Sequence, residues 1–242
     1  FLAAFTHPIL DYFTTYGTGA FEPFSDYRVE FGTIGIVDIF YTIPILFVLI
    51  IIMFLSRTST IRRRLIVYTL IISSLYIGAT VVNKFYVNSV FKKSLAESGI
   101  EFNRFKSTPL PLTNFLWMGI AEVDDGYYMA LYSVFDDEKP DSFAYLKRNN
   151  QLLEPFSDDK SLQKLLKFTK GYYIVGEDAN GIYIADLRFG KAGIGDNADY
   201  VFKFRISDSN GGLHITESQE SRKIESGMFS AYLDRILGRV TN

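Results

Sequence analysis

The sequence predicts a multi-pass α-helical membrane region followed by a soluble α+β domain with an antiparallel sheet. Three observations predict it. The chain is 48% hydrophobic, and the apolar residues are concentrated before about residue 90. Two long apolar runs in that part, Thr33 to Leu55 and Leu65 to Val82, are separated by the basic connection SRTSTIRRR. From about residue 100 onward the pattern changes to short alternating segments with turn residues between them, the signature of hairpins.

Residues 1–98 are read as the membrane region and 99–242 as an extracytoplasmic α+β domain. Phe1 to about Tyr16 has too few apolar residues to cross about 30 Å of hydrocarbon and is expected to be the tail of a membrane helix. Gly17 to Gly32 mixes Gly, Pro, Ser and Asp with Phe and Tyr, and is expected to be a structured outer loop at the membrane interface (17–32). Thr33 to Leu55 is expected to span, with Pro44 tolerated inside it and Asp38 about one and a half turns from its start. Leu65 to Val82 is expected to be a second span whose helix continues past the bilayer, since apolar positions recur at Phe85, Val87, Val90 and Phe91.

The connection 56–64 carries Arg57, Arg62, Arg63 and Arg64 without an acidic residue, which places it on the cytoplasmic side and the loop 17–32 and the carboxy-terminal domain outside. Lys84, Lys92 and Lys93 at the other end of the second run weaken the asymmetry without reversing it. Beyond residue 100, three hairpins are expected: Asn114–Val123 with Tyr127–Phe135 across Asp124-Asp125-Gly126, Gly171–Glu177 with Gly181–Arg188 across DANG, and Tyr200–Ser207 with Leu213–Glu217 across SNGG. Helices are expected at about Asp158–Thr169 and Lys223–Leu237, where apolar residues recur at helical spacing.

Composition removes several functions. Net charge is −2, so no basic footprint points to nucleic acid. With no cysteine, disulfides, thiolate metal sites and a cysteine nucleophile are excluded. No GxSxG, P-loop or dinucleotide motif is present.

The candidate chemistry lies in THPILDYFTTY, Thr6 to Tyr16. His7 and Asp11 are four residues apart, on one side of a helix, a spacing that can offer nitrogen and oxygen ligands to one divalent ion. Two plainer readings compete. His7 can be a helix-start residue ahead of Pro8, and Asp11 can favour the positive end of that helix. Asp38 is a carboxylate in an apolar run, where an unpaired charge costs about 2.5–3.5 kcal/mol at mid-membrane; its plainer reading is an interfacial carboxylate. Thr14, Thr15 and Tyr16 read as local caps and interfacial anchors. Arg28 can hold an anionic headgroup or pair with Asp26. His214 reads as an ordinary strand residue.

THPILDYFTTYGTGAFEPFSDYR, GIVDIFYTIP (Gly35 to Pro44), PLPLTNFLW (Pro109 to Trp117) with GYYMALYSVFD (Gly126 to Asp136), and DLRFG (Asp186 to Gly190) resemble the bacterial inner-membrane metal-dependent hydrolase family called YdjM-like. The resemblance implies a divalent metal ion, with zinc the ion expected, bound at His7 and Asp11. Asp38 would be a general base, a further ligand or a partner of His7. The ion would activate water against an envelope or lipid-like substrate at the outer face of the inner membrane, with membrane lipids as the surrounding partner. The family's further His-rich element, upstream of this histidine, has no counterpart here. Either residues precede Phe1 in the complete protein or the metal site differs, and the family's full ligand set is not carried over. The alternative is a non-enzymatic membrane-anchored sensor or binding module of the cell envelope.

Overall fold

The computed structural model describes residues 2–25, 27–191, 193, 198–209, 212–218 and 227–239. The chain divides into two compact units, Phe1–Val90 with Ser107–Trp117, and Phe91–Lys106 with Met118–Asn242.

The first unit begins with helix α1 (Leu2–Asp11), ten residues long with Pro8 inside it. A short ribbon follows, in which β1 (Thr18–Gly19) pairs antiparallel with β2 (Arg28–Val29). Helix α2 (Ile39–Met53) is an apolar 15-residue helix, and α3 (Thr60–Glu97) has 38 residues. At 1.5 Å per residue these are about 22 Å and 57 Å long.

The expected multi-pass helical membrane region is not formed. Among the described residues one helix, α3, is long and apolar enough to cross a membrane. The run Thr33–Leu55 fails as a span because its first six residues are not helical. The amides of Thr33 and Ile34 donate to the Phe13 carbonyl at 2.8 and 3.1 Å, and the Val37 carbonyl accepts from the Leu112 amide at 2.8 Å. Asp38 is extended (φ −118°, ψ 123°) and caps α2 through its side chain. The helix therefore starts at Ile39, and about 22 Å falls short of a 30 Å hydrocarbon core. The amino-terminal segment also differs from its expected reading: α1 ends at Asp11, and Thr14 caps it by donating to the Asp11 carbonyl at 2.8 Å.

The second unit holds most of the strands. One sheet has the order β3 (Arg104–Pro109), β4 (Leu116–Val123), β5 (Gly126–Ser133), β6 (Ala144–Lys147). The other has the order β10 (Gly212–Glu217), β9 (Tyr200–Ser209), β8 (Gly181–Lys191), β7 (Tyr173–Asp178), all antiparallel. In place of the one sheet expected there are two, each of four strands, in addition to the β1–β2 ribbon. The DANG turn is tight: Asp178 pairs with Gly181, leaving Ala179 and Asn180 as its two central residues.

Helices α4 (Lys160–Phe168) and α5 (Met228–Ile236) complete the unit, with a 3-10 helix at Asn150–Phe156. Residues 223–226, expected to begin the last helix, lie outside the described residues. Asp159 starts α4 by accepting from the Ser161 and Leu162 amides at 2.7 and 3.1 Å. Leu162 and Leu165 of α4 and Leu153 of the 3-10 helix bury against Tyr173, Val175, Ile184 and Ile206 of the β7–β10 sheet. A second apolar cluster forms around Phe91, on the last turns of α3. A Cβ on Gly119 would meet its ring at 2.7 Å, so glycine is what lets that ring lie on β4.

Candidate functional site

On α1, His7 Nε2 and Asp11 Oδ2 are 3.5 Å apart, as the four-residue spacing predicts, and both side chains are substantially exposed. They offer one nitrogen and one oxygen donor to a shared ion. Asp38 is in a different state. It is 2% exposed, and the Tyr76 hydroxyl of α3 donates to Oδ1 and Oδ2 at 2.9 and 3.0 Å. The Tyr41 amide of α2 donates to Oδ1 at 3.1 Å. The carboxylate therefore closes the first turn of α2 and ties it to α3.

Among the described residues no group of three or more His, Asp or Glu side chains is placed to hold a metal ion. Zinc takes four ligands, or three and a water. The His7–Asp11 pair supplies two, and the Asp38 oxygens are engaged by Tyr76 and Tyr41. The described residues do not complete the implied metal site.

The contacts that α3 makes at Asn83 and Lys84, past the middle of the helix, are not among those the sequence predicts. Asn83 donates to the carbonyl and side-chain oxygens of Asn114 at 2.7 and 2.9 Å, and Asn114 donates to the Thr33 carbonyl at 2.6 Å. Lys84 donates to the carbonyls of Gly32 and Ser107 at 2.9 and 2.8 Å. Thr15, expected to be a local cap, shares a hydrogen bond of 2.7 Å with Thr108. Arg28 donates to the Gly17 carbonyl at 2.8 Å; Asp26, its expected alternative partner, lies outside the described residues. The available signal was the change from Val82 to Asn83-Lys84 at the end of the apolar run, where amide and ammonium groups find carbonyls more readily than water.

The second unit concentrates ionic pairs. Glu122 on β4 is held by Arg104 and Arg148, whose guanidinium groups lie 4.8 Å over the rings of Tyr172 and Tyr127. Burial raises the Glu122 pKa, but the hydrogen bonds and charges of the two arginines outweigh it and hold the carboxyl below its usual range. Burial pushes the neighbouring Tyr127 hydroxyl up to about 12. Asp186 and Arg188, in the DLRFG segment of β8, form a buried pair at 2.7 Å. A cleft of about 530 Å³ opens beside Leu131, Asp136, Pro140, Asp141 and Arg235. Its wall is fixed by the Arg235 guanidinium, which donates to both Asp136 oxygens at 2.7 and 2.9 Å.

The apolar run of α3 is exposed, and the helix is long and apolar enough to cross a bilayer. The family model described as YdjM inner membrane protein matches residues 1–87. The resemblance read from the sequence is thus shown over that segment, and the matched description points to membrane association. The matching description names a membrane and no activity. The blocks Pro109–Trp117, Gly126–Asp136 and Asp186–Gly190, also read as carrying the resemblance, lie beyond the matched residues. No curated protein matches the chain, and no solved structure does.

Proposed function

We propose that the chain is a membrane-anchored binding module of the cell envelope, held by α3 and presenting its second unit outside the cytoplasm. The observation that supports this reading is the state of Asp38: a buried carboxylate with a hydroxyl on both oxygens and an amide on one is engaged as a helix cap and a strut, which favours a structural role over that of base or ligand. Recognition in the second unit is assigned to the open cleft beside Asp136 and Arg235, about 530 Å³ and largely lined by charged side chains. Outward placement is supported by Arg57 and Arg62–Arg64 near the start of α3, while the second unit follows its other end.

The test uses the full chain in nanodiscs, with isolated peptidoglycan sacculi as the envelope probe and p-nitrophenyl acetate and phosphate as hydrolysis probes. Asp38→Asn keeps a capping oxygen and is expected to leave folding and sacculus binding unchanged, with binding insensitive to EDTA. Metal-dependent turnover that Asp38→Asn abolishes at an unchanged melting temperature would overturn the module reading.

A second reading, a metal-dependent hydrolase on an unidentified envelope or lipid-like substrate, is favoured by the exposed His7–Asp11 pair. It requires a divalent ion in the purified full chain that His7→Ala and Asp11→Ala each remove, measured by elemental analysis after dialysis. Wild-type metal content in both variants would end it.

A further inference from the structure

Beyond anchoring by α3, we propose that the turn at Phe21–Phe24 and Tyr27 is a lipid-contacting foot that seats its aromatic side chains at the headgroup–acyl boundary of the bilayer. The proposal rests on the membrane association already described, and adds the surface, its depth and its partner.

Depth follows from hydrogen bonds. The apolar run of α3 ends at Val82, and at 1.5 Å per residue Asn83 and Lys84 lie only about 1.5 and 3 Å further along the helix. Lys84 holds the Gly32 carbonyl, and Asn83 holds Asn114, which in turn holds the Thr33 carbonyl. The loop preceding α2 is therefore rooted at the level where the apolar helix surface gives way to polar side chains. Aromatic rings collect at that level because they are apolar in body and tolerate a wet edge.

The loop has such rings and leaves them uncovered. Phe24 is 94% exposed, and Phe21, Tyr27 and Phe31 are each about half exposed or more. On α3 itself Phe85 is 71% exposed, with Tyr86 beside it. Water does not stabilise phenylalanines held out in this way, and the turn does hold them out. The amides of Phe24 and Ser25 both donate to the Phe21 carbonyl, at 2.8 and 3.0 Å, and Arg28 closes the base of the loop on Gly17. A lipid boundary accounts for the rings on the loop and for those on α3 together, since the loop's base at Gly32 and Thr33 is held at Lys84 and Asn83, next to the exposed Phe85 and Tyr86.

The absence of cysteine makes the test clean. Phe24→Cys, Tyr27→Cys, Ile71→Cys and Asn180→Cys, each labelled with an environment-sensitive fluorophore, are reconstituted as full chains in vesicles carrying a lipid-borne quencher at a shallow or a deep acyl position. Labels at 24 and 27 are expected to lose more intensity to the shallow quencher, the label at 71 more to the deep one, and the label at 180 to neither. Quenching at 71 without quenching at 24 and 27 overturns the foot and leaves the membrane anchor standing. Blue-shifted emission at 24 that neither quencher touches shows a protein neighbour there and also overturns it. No quenching at 71 removes the anchor, and the foot with it.

Discussion

Charge is handled in opposite ways in the apolar helices and in the sheet unit. Around α2 and α3, Asp38, Arg62 and Lys84 meet dipoles: hydroxyl and amide for Asp38, the carbonyls of Ile52 and Leu55 for Arg62, and those of Gly32 and Ser107 for Lys84. In the second unit the charged side chains meet opposite charges, as in Asp186–Arg188, Glu122 with Arg104 and Arg148, Asp136–Arg235, and Asp178 with Lys203 and Arg205. The contrast teaches where charge responds to solution conditions. A charge satisfied by backbone and hydroxyl dipoles depends on the local fold, whereas an ion pair open to water also depends on salt.

The largest test of this contrast is Asp186→Asn. It removes the Asp186 charge from Arg188, which is buried at 1% side-chain exposure, and breaking such a pair costs about 3–5 kcal/mol. The full chain in mild detergent, followed by far-UV circular dichroism in urea, should show that loss in the sheet signal. Replacing both partners, Asp186→Leu with Arg188→Met, should recover most of it, because the desolvation of two charges disappears together. A neutral Asp186→Asn would break the comparison.

Next in size is Glu122→Gln, expected to cost about 2 kcal/mol at pH 7 through the loss of charge-assisted hydrogen bonds. The sign with pH is fixed by the lowered folded pKa of Glu122. Its contribution is fully present above the unfolded value of about 4.3 and is lost as pH falls through the lower folded value. The gap between wild type and variant should therefore be widest near neutrality and close progressively below about pH 4. Urea titrations at pH 7 and pH 3 measure it, and a gap as wide at pH 3 as at pH 7 would count against the arginine clamp.

The legibility of these regions divides along the same line. The DDG and DANG turns announce β4–β5 and β7–β8, because a tight turn is chemistry among neighbours in sequence. The i, i+4 spacing of His7 and Asp11 is local too, and the pair forms as expected. The start of α2 is not legible. Thr33–Val37 is as apolar as the helix it precedes, and what removes it from that helix is pairing with Phe13 and with Leu112, far away in sequence. The role of Asp38 is hidden for the same reason: its N-cap position depends on where the helix starts, and Tyr76 is 38 residues away. The PLPLTN stretch is recognisable as a motif, but nothing in its letters says that Asn114 would bridge Asn83 to Thr33.

The smallest expected effect separates one arginine from its neighbours. Arg62 is half-buried while Arg63 and Arg64 are exposed, and it donates to the carbonyls of Ile52 and Leu55 at 2.7 and 3.0 Å. Ile52 is in the last turn of α2 and Leu55 lies two residues past it, at a helix end where a cation is favoured by the dipole. Arg62→Gln should cost about 1 kcal/mol, and Arg63→Gln close to nothing. The single tryptophan belongs to the first unit, where Trp117 donates to the Asn114 carbonyl at 2.9 Å, so its fluorescence reports that unit during a thermal melt in detergent. Added salt sharpens the comparison. Because the partners of Arg62 are backbone carbonyls at hydrogen-bond distance and not a full opposite charge, the Arg62→Gln deficit should change less at high ionic strength than the Glu122→Gln deficit, which shrinks as the half-exposed Arg104 is screened. Equal salt dependence in the two variants would mean that Arg62 acts as a solvated charge, and the distinction between the two regions would fail at its weakest member.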